Sequence, residues 1–171
     1  HIASSAAALS RRDTHLGMVR IGIASYGYPP VPTSLPLEKC LHLSTEVIQV
    51  KDIEPGSYVG YGRTYCADRT VQVATLAIGY GDGYARALSS RGKVLIRGVP
   101  CQILGRICMD QTMVDVSRVP DVRPGDTAVL LGQQCGHEID ANDIAAWCGT
   151  IAYEVLLSPT PRLPVTYMED Q

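Results

Sequence analysis

The sequence predicts a mainly β domain, an antiparallel barrel or sandwich carrying one or two short helices, and three observations predict it. Short apolar segments alternate with turn-forming residues from residue 41 to 132, the pattern of many short strands. Four prolines fall in YPPVPTSLP at 28–36, a stretch that can continue neither a helix nor a central strand. Beyond those prolines, a helical pattern occurs only after Asp140.

Taken in order, HIASSAAALSRR at 1–12 reads as a small-residue helix or a loop, and MVRIGIASYG at 18–27 as a buried strand ending in a turn. The prolines at 28–36 make a connector and the candidate domain boundary. LHLSTEVIQV at 41–50 alternates in part, DIEPGS turns it, and YVGYGRTYCA at 58–67 follows. TVQVATLAI at 70–78 leads into IGYGDGY, and GKVLIRGVPCQILGRI at 92–107 reads as two strands around Gly98. QTMVDVS at 111–117 and VRPGDTAVLLG at 122–132 supply the last strands. Asp140 is placed to cap a helix through Ile144, Ala145 and Trp147 that Gly149 ends, with a second short helix from Thr150. PRLPVTY returns to an extended form.

A chain of 171 residues suits one domain, with room for an appendage. Its formal charge of −2, scattered in both signs, leaves no footprint for nucleic acid or an anionic membrane, so the expected partner is neutral or small. Every apolar run is interrupted well short of the roughly 18 to 20 residues that span a bilayer, and the chain reads as soluble. The opening lacks a starting methionine and any secretory pattern, which reads as a piece of something longer. Six cysteines at wide spacings, with no C-x-x-C pair, favour reduced and mostly buried thiols of a cytosolic protein over a zinc site.

Four patches could carry chemistry. IGYGDGY has glycines that let the backbone turn sharply and expose Tyr80 at a strand end; an ordinary glycine-rich hairpin is the plainer reading, and Tyr84 has no role beyond packing. GRICMDQ at 105–111 sets Arg106 and Asp110 around a thiol and a thioether, where a strand with an edge ion pair is the alternative. RIGIASYG puts Arg20 beside a glycine whose N–H groups could face a phosphate. Tyr153 in GTIAYEV sits near a helix start, where a core aromatic is the commoner case.

In this order, MVRIGIASYG, VGYGRTY, IGYGDGYARAL, GRICMDQTMVDV, GD…VLLG and GTIAYEV closely resemble the carboxy-terminal half of the alanine racemases, over almost the whole chain. The resemblance implies a pyridoxal-phosphate enzyme with an amino-terminal (β/α)₈ barrel, whose last strands and loops match residues 1–27, and a β domain over 37–171. The lysine that carries the cofactor is not matched, and neither Lys39, Lys51 nor Lys93 replaces it, so this chain alone is expected to bind no pyridoxal phosphate and racemise nothing.

Racemising alanine removes a proton on one face of the α-carbon and returns one on the other, which needs two bases. The resemblance makes one of them Tyr80, offered to the partner subunit of a head-to-tail homodimer; a phenol, with an ordinary pKa near 10, needs cationic help for that role. It puts Arg20 opposite the pyridine nitrogen, where a guanidinium leaves that nitrogen unprotonated. It assigns phosphate binding to Ser5, Gly22, Ile23 and Tyr153, the substrate carboxylate to the N–H of Met109, and the site entrance to Asp110 and Arg106. Ser4 and Ala152 stand where asparagines are usual. The implied setting is bacterial cytoplasm and D-alanine for peptidoglycan. Two alternatives stay open: a membrane-linked serine racemase of the glycopeptide-resistance type, against which bulky Tyr153 weighs, and a stand-alone, non-catalytic β dimerisation module.

Overall fold

In the computed structural model, which describes residues 1–168, the chain forms two units, His1–Leu41 and a larger one from His42 onward. The first holds α1 (Ser5–Ser10) and two short 3₁₀ turns, Arg12–Thr14 and Ile23–Tyr26. The buried strand expected across 18–27 does not form. Met18, Val19 and Ile21 are exposed, and Arg20 N–H donates to the Ala3 carbonyl at 2.9 Å. Strand backbone needs a neighbouring strand to satisfy its N–H and C=O groups, and none of the described residues of this unit supplies one.

The second unit carries β1 (Leu43–Ile53), β2 (Tyr58–Val59), β3 (Tyr65–Cys66), β4 (Val71–Leu76), β5 (Lys93–Ile96), β6 (Val99–Gln102), β7 (Thr112–Asp115), β8 (Thr127–Gln134) and β9 (His137–Ile139). The main sheet runs β6-β5-β8-β1-β4-β7, every pair antiparallel. Its two ends meet. Ile103, just past β6, bridges Val114 of β7, and Leu104 N–H donates to the Met113 carbonyl at 2.8 Å. Of the two expected architectures, the sheet therefore takes the barrel, and closure leaves it without long free edges.

Turn chemistry explains the hairpins. Arg97 (φ 52°) and Gly98 (φ 77°) join β5 to β6, both left-handed, as a two-residue turn matched to strand twist requires. Cys135 and Gly136 repeat the device between β8 and β9, a hairpin absent from the sequence reading, which ends its last strand at residue 132. β4 is buried at nearly every position because both its faces are covered. Val71 and Val73 pack with Val59, Ala67 and Leu104 on the side of the small β2–β3 hairpin, while Ala74 and Leu76 point the other way.

Two helices follow the strands, α2 (Ala141–Cys148) and α3 (Ala152–Leu157). Asp140 caps α2 by accepting from the N–H groups of Asn142 and Asp143, and Asp143 returns a bond to the Asp140 N–H at 2.9 Å. Gly149 ends it in the left-handed region at φ 72°. Helices and barrel enclose a cavity of about 140 Å³ lined by Leu43, Leu131, Ile144, Val155, Cys148 and Tyr84.

Tyr84 is buried, as a packing residue should be, yet its hydroxyl has no hydrogen-bond partner among the described residues, and burial pushes its pKa above the usual value. A buried, unpaired hydroxyl costs about 1 to 3 kcal/mol. Tyr84→Phe is therefore expected to raise the free energy of unfolding by about 1 kcal/mol in a urea titration, and a loss of stability would show that the hydroxyl has a partner.

All six cysteines are free, but the expectation that they are mostly buried is overturned. Cys101 alone is fully buried, its thiol pushed up to about 12 chiefly by that burial, whereas Cys40, Cys66 and Cys135 are exposed. A thiol tolerates the surface where, as at Cys135 in its turn, local backbone geometry sets the position. No helix among the described residues is long and apolar enough to cross a membrane.

Candidate active site

Three loops of the second unit converge: 59–65 between β2 and β3, 79–84 after β4, and 105–111 before β7. The middle loop is the glycine-rich motif, and it is a 3₁₀ turn at Tyr80–Asp82 rather than a hairpin. Asp82, itself buried, holds the turn by accepting from Gly79 N–H at 2.9 Å. Tyr80 N–H donates to the Cys108 carbonyl at 3.0 Å and Gly81 N–H to the Met109 carbonyl at 2.8 Å, so the tyrosine turn lies flat on the 105–111 loop. That approach explains Gly79, because a Cβ there would collide with the Cys108 carbonyl and the Met109 backbone. Thr112 pins the same junction from beneath through its hydroxyl, which donates to the Ile78 carbonyl at 2.8 Å.

The 59–65 loop lies against the other side of 105–111. A Cβ on Gly62 would stand 3.1 Å from Nη1 of Arg106, so the guanidinium rests on the residue that follows Tyr61. Arg106 is exposed and has no hydrogen bond or ion pair from its side chain among the described residues. The edge ion pair that the sequence allowed for GRICMDQ does not include it. Asp110 is paired instead with Arg162, Nη2 to Oδ1 at 2.5 Å, and the same guanidinium reaches Asp82 through Nε at 3.2 Å. Asp110 first, and Asp82, hold Arg162 above its already high pKa.

The rim thus gathers Tyr80 (41% exposed), Met109 (51%), Asp110 and Arg106, and it adds Tyr61 (71%) and Arg162, to which the sequence had given no role. Tyr61 was visible as the tyrosine between two glycines in VGYGRTY. Arg162 had no local signal, since its carboxylates lie far back along the chain. Met109 N–H donates to nothing among the described residues and is free to meet an acceptor. Tyr153 projects from α3, half-exposed.

In the first unit Ser5, Gly22 and Ile23 come together. Ser5 Oγ accepts from Gly22 N–H at 2.9 Å and Ala24 N–H at 3.4 Å, leaving its own proton to donate, and Ile23 N–H is unclaimed. That donor pair suits a phosphate. Arg20 directs Nη1 at His1, 2.9 Å from Nδ1 and 3.3 Å from the carbonyl. Among the described residues no group of three or more His, Cys, Asp or Glu side chains is arranged to hold a metal ion.

The family description "Alanine racemase, C-terminal domain" matches residues 40–167. An alanine racemase of Clostridium perfringens (strain SM101 / Type A) is 44% identical over 174 residues, covering 99% of this chain and 45% of that protein. The alanine racemase of Desulfosudis oleivorans is 46% identical over 171 residues, 98% of this chain and 44% of its own length. Among solved structures, the alanine racemase from Bacillus anthracis with bound L-Ala-P superposes with a TM-score of 0.93 at 35% identity, over 98% of this chain and 44% of that one. The chain spans about half the length of the curated relatives it matches.

Proposed function

The chain belongs to the alanine racemase family, and on that premise we propose that it serves in a pyridoxal-phosphate enzyme interconverting L- and D-alanine, working as a homodimer in which this rim completes the partner's site. The observation that carries the reading is the rim itself: exposed tyrosines, an uncommitted guanidinium and an unclaimed N–H side by side on three interlocked loops. A module used only for dimerisation has no need of them.

Pyridoxal phosphate, when bound, supplies the electron sink that makes the α-proton of alanine removable. In the first unit Ser5 O–H, oriented by the Gly22 N–H, and Ile23 N–H would hold its phosphate, and Arg20 would face the ring nitrogen without surrendering its proton; Tyr153 of the second unit keeps the phosphate role that the resemblance gives it. On the rim, Met109 N–H donates to the substrate carboxylate. Arg106 and Asp110 border the entrance. A tyrosine oxygen takes or returns the proton on one face, and a base outside this chain acts on the other. The bulk of Tyr153 near the β-carbon favours a methyl over a hydroxymethyl group.

The tyrosine that takes or returns the proton is Tyr80. Its turn is seated on the 105–111 loop through the Tyr80 and Gly81 N–H groups, beside the unclaimed Met109 N–H that would receive the substrate carboxylate.

The test is to incubate the intact enzyme and pyridoxal phosphate with L-alanine in D₂O. D-alanine carrying deuterium at the α-carbon is expected. Retention of optical activity and of the α-proton would reject the reading.

A further inference from the structure

The interaction that ties the rim together comes from outside all three loops. The segment after α3 docks on the tyrosine turn through Thr160, whose N–H donates to the Asp82 carbonyl at 3.0 Å and whose hydroxyl donates to the Gly81 carbonyl at 3.1 Å. Prolines on either side, Pro161 and Pro164, restrict the backbone that delivers the next side chain. That side chain is Arg162. Its planar fork spans the gap between Asp82 in the turn and Asp110 in the 105–111 loop, Nε serving one carboxylate and Nη2 the other. A Cβ on Gly81 would collide with this guanidinium, so the glycine is what lets the arginine lie across the turn.

We infer that Arg162 is a positioning residue for substrate binding, clamping the tyrosine turn to the Met109–Asp110 loop and neutralising Asp110 beside the Met109 N–H that receives the substrate carboxylate. The inference rests on the racemase reading for its ligand, not for its geometry. Two consequences separate it from a structural tie. Arg162 and Asp110 are both at least half exposed, and an exposed ion pair contributes little to stability; Asp82 is buried, but its other oxygen keeps the Gly79 N–H without Arg162, so the fold should depend only weakly on the clamp. Without Arg162, however, the uncompensated carboxylate of Asp110 would repel an incoming carboxylate, which weakens ground-state and transition-state binding alike.

The experiment compares R162A and R162K with the parent in the intact enzyme. R162A is expected to raise KM for alanine about tenfold with kcat within about threefold, because a binding contribution common to both states has been lost. R162K, which restores the charge without the fork, should fall between. The melting temperature should move by no more than about 3 °C. Amide exchange at Gly81, whose N–H bonds Met109, should accelerate about tenfold in R162A while β4 amides are unaffected. An unchanged KM, or a loss confined to kcat, overturns the positioning role whatever the exchange shows. If the parent itself fails to racemise alanine, the racemase reading falls, and the Gly81 exchange alone then decides the clamp, unaltered exchange rejecting it.

Discussion

Tyr80→Phe is expected to slow racemisation in both directions by about 10²- to 10⁴-fold, the usual contribution of a positioned general base. Tyr61→Phe, on the neighbouring loop, is expected to cost less than about tenfold, the scale of a lost contact rather than a lost base. The two variants differ from any general damage to the site by a one-sided signature. With the tyrosine base gone, one enantiomer should stop exchanging its α-proton with solvent, while the other continues to exchange through the opposite base. Measuring deuterium incorporation into each enantiomer separately reads this directly. A larger and one-sided loss in Tyr61→Phe would move the role to Tyr61, and equal loss of exchange from both enantiomers in both variants would reject a tyrosine base on this rim. Placement decides between the two tyrosines. Tyr80 is 41% exposed on a turn whose N–H groups bond the Cys108 and Met109 carbonyls, next to the Met109 N–H that donates to nothing among the described residues.

Ile103→Ala should be among the most destabilising single changes in the β unit, by about 3 to 5 kcal/mol in urea unfolding. Ile103 is 1% exposed, and its backbone forms the bridge to Val114 at which the sheet closes. Truncation leaves a cavity among fully buried neighbours at the point where the sheet closes. Ile103→Val, which keeps most of the volume, should cost about 1 kcal/mol. If the two variants were equally stable, the seam would not be packed by this side chain.

Where residues act on their own neighbours, the sequence was readable. The turn at Gly98, the Asp140 cap and the Gly149 stop each act on neighbouring residues and appear where the pattern put them, with the second helix starting slightly later, at Ala152; the return bond to Asp143 and the part of Arg97 in the turn came only with the structure. Partners at a distance were not readable. MVRIG has the composition of a buried strand, but pairing decides whether apolar residues become one, and here it runs as exposed loop. Barrel or sandwich could not be chosen from alternation alone, since Ile103 and Val114 look like any other apolar pair until they meet. The site shows the same division. IGYGDGY announced a turn that exposes a tyrosine, but the arginine that spans this turn and Asp110, Arg162, comes from a segment some eighty residues further along the chain and carries no local signal.

The strand order also bears on how the chain is made. β1 is the first strand of the barrel to leave the ribosome, yet one of its edges is covered by β8, with Glu46 opposite Thr127 and Leu43 opposite Leu131. Its other edge finds β4 much sooner, with Val50 opposite Ala74. For the whole interval in which residues 77 to 126 are being synthesised, β1 must wait with one row of backbone donors and acceptors unpaired. Such long-separation pairing slows folding and leaves a nascent edge open to other chains. Within the stretch that β8 covers, Glu46 places a charge opposite Thr127, where it can discourage such encounters until β8 arrives.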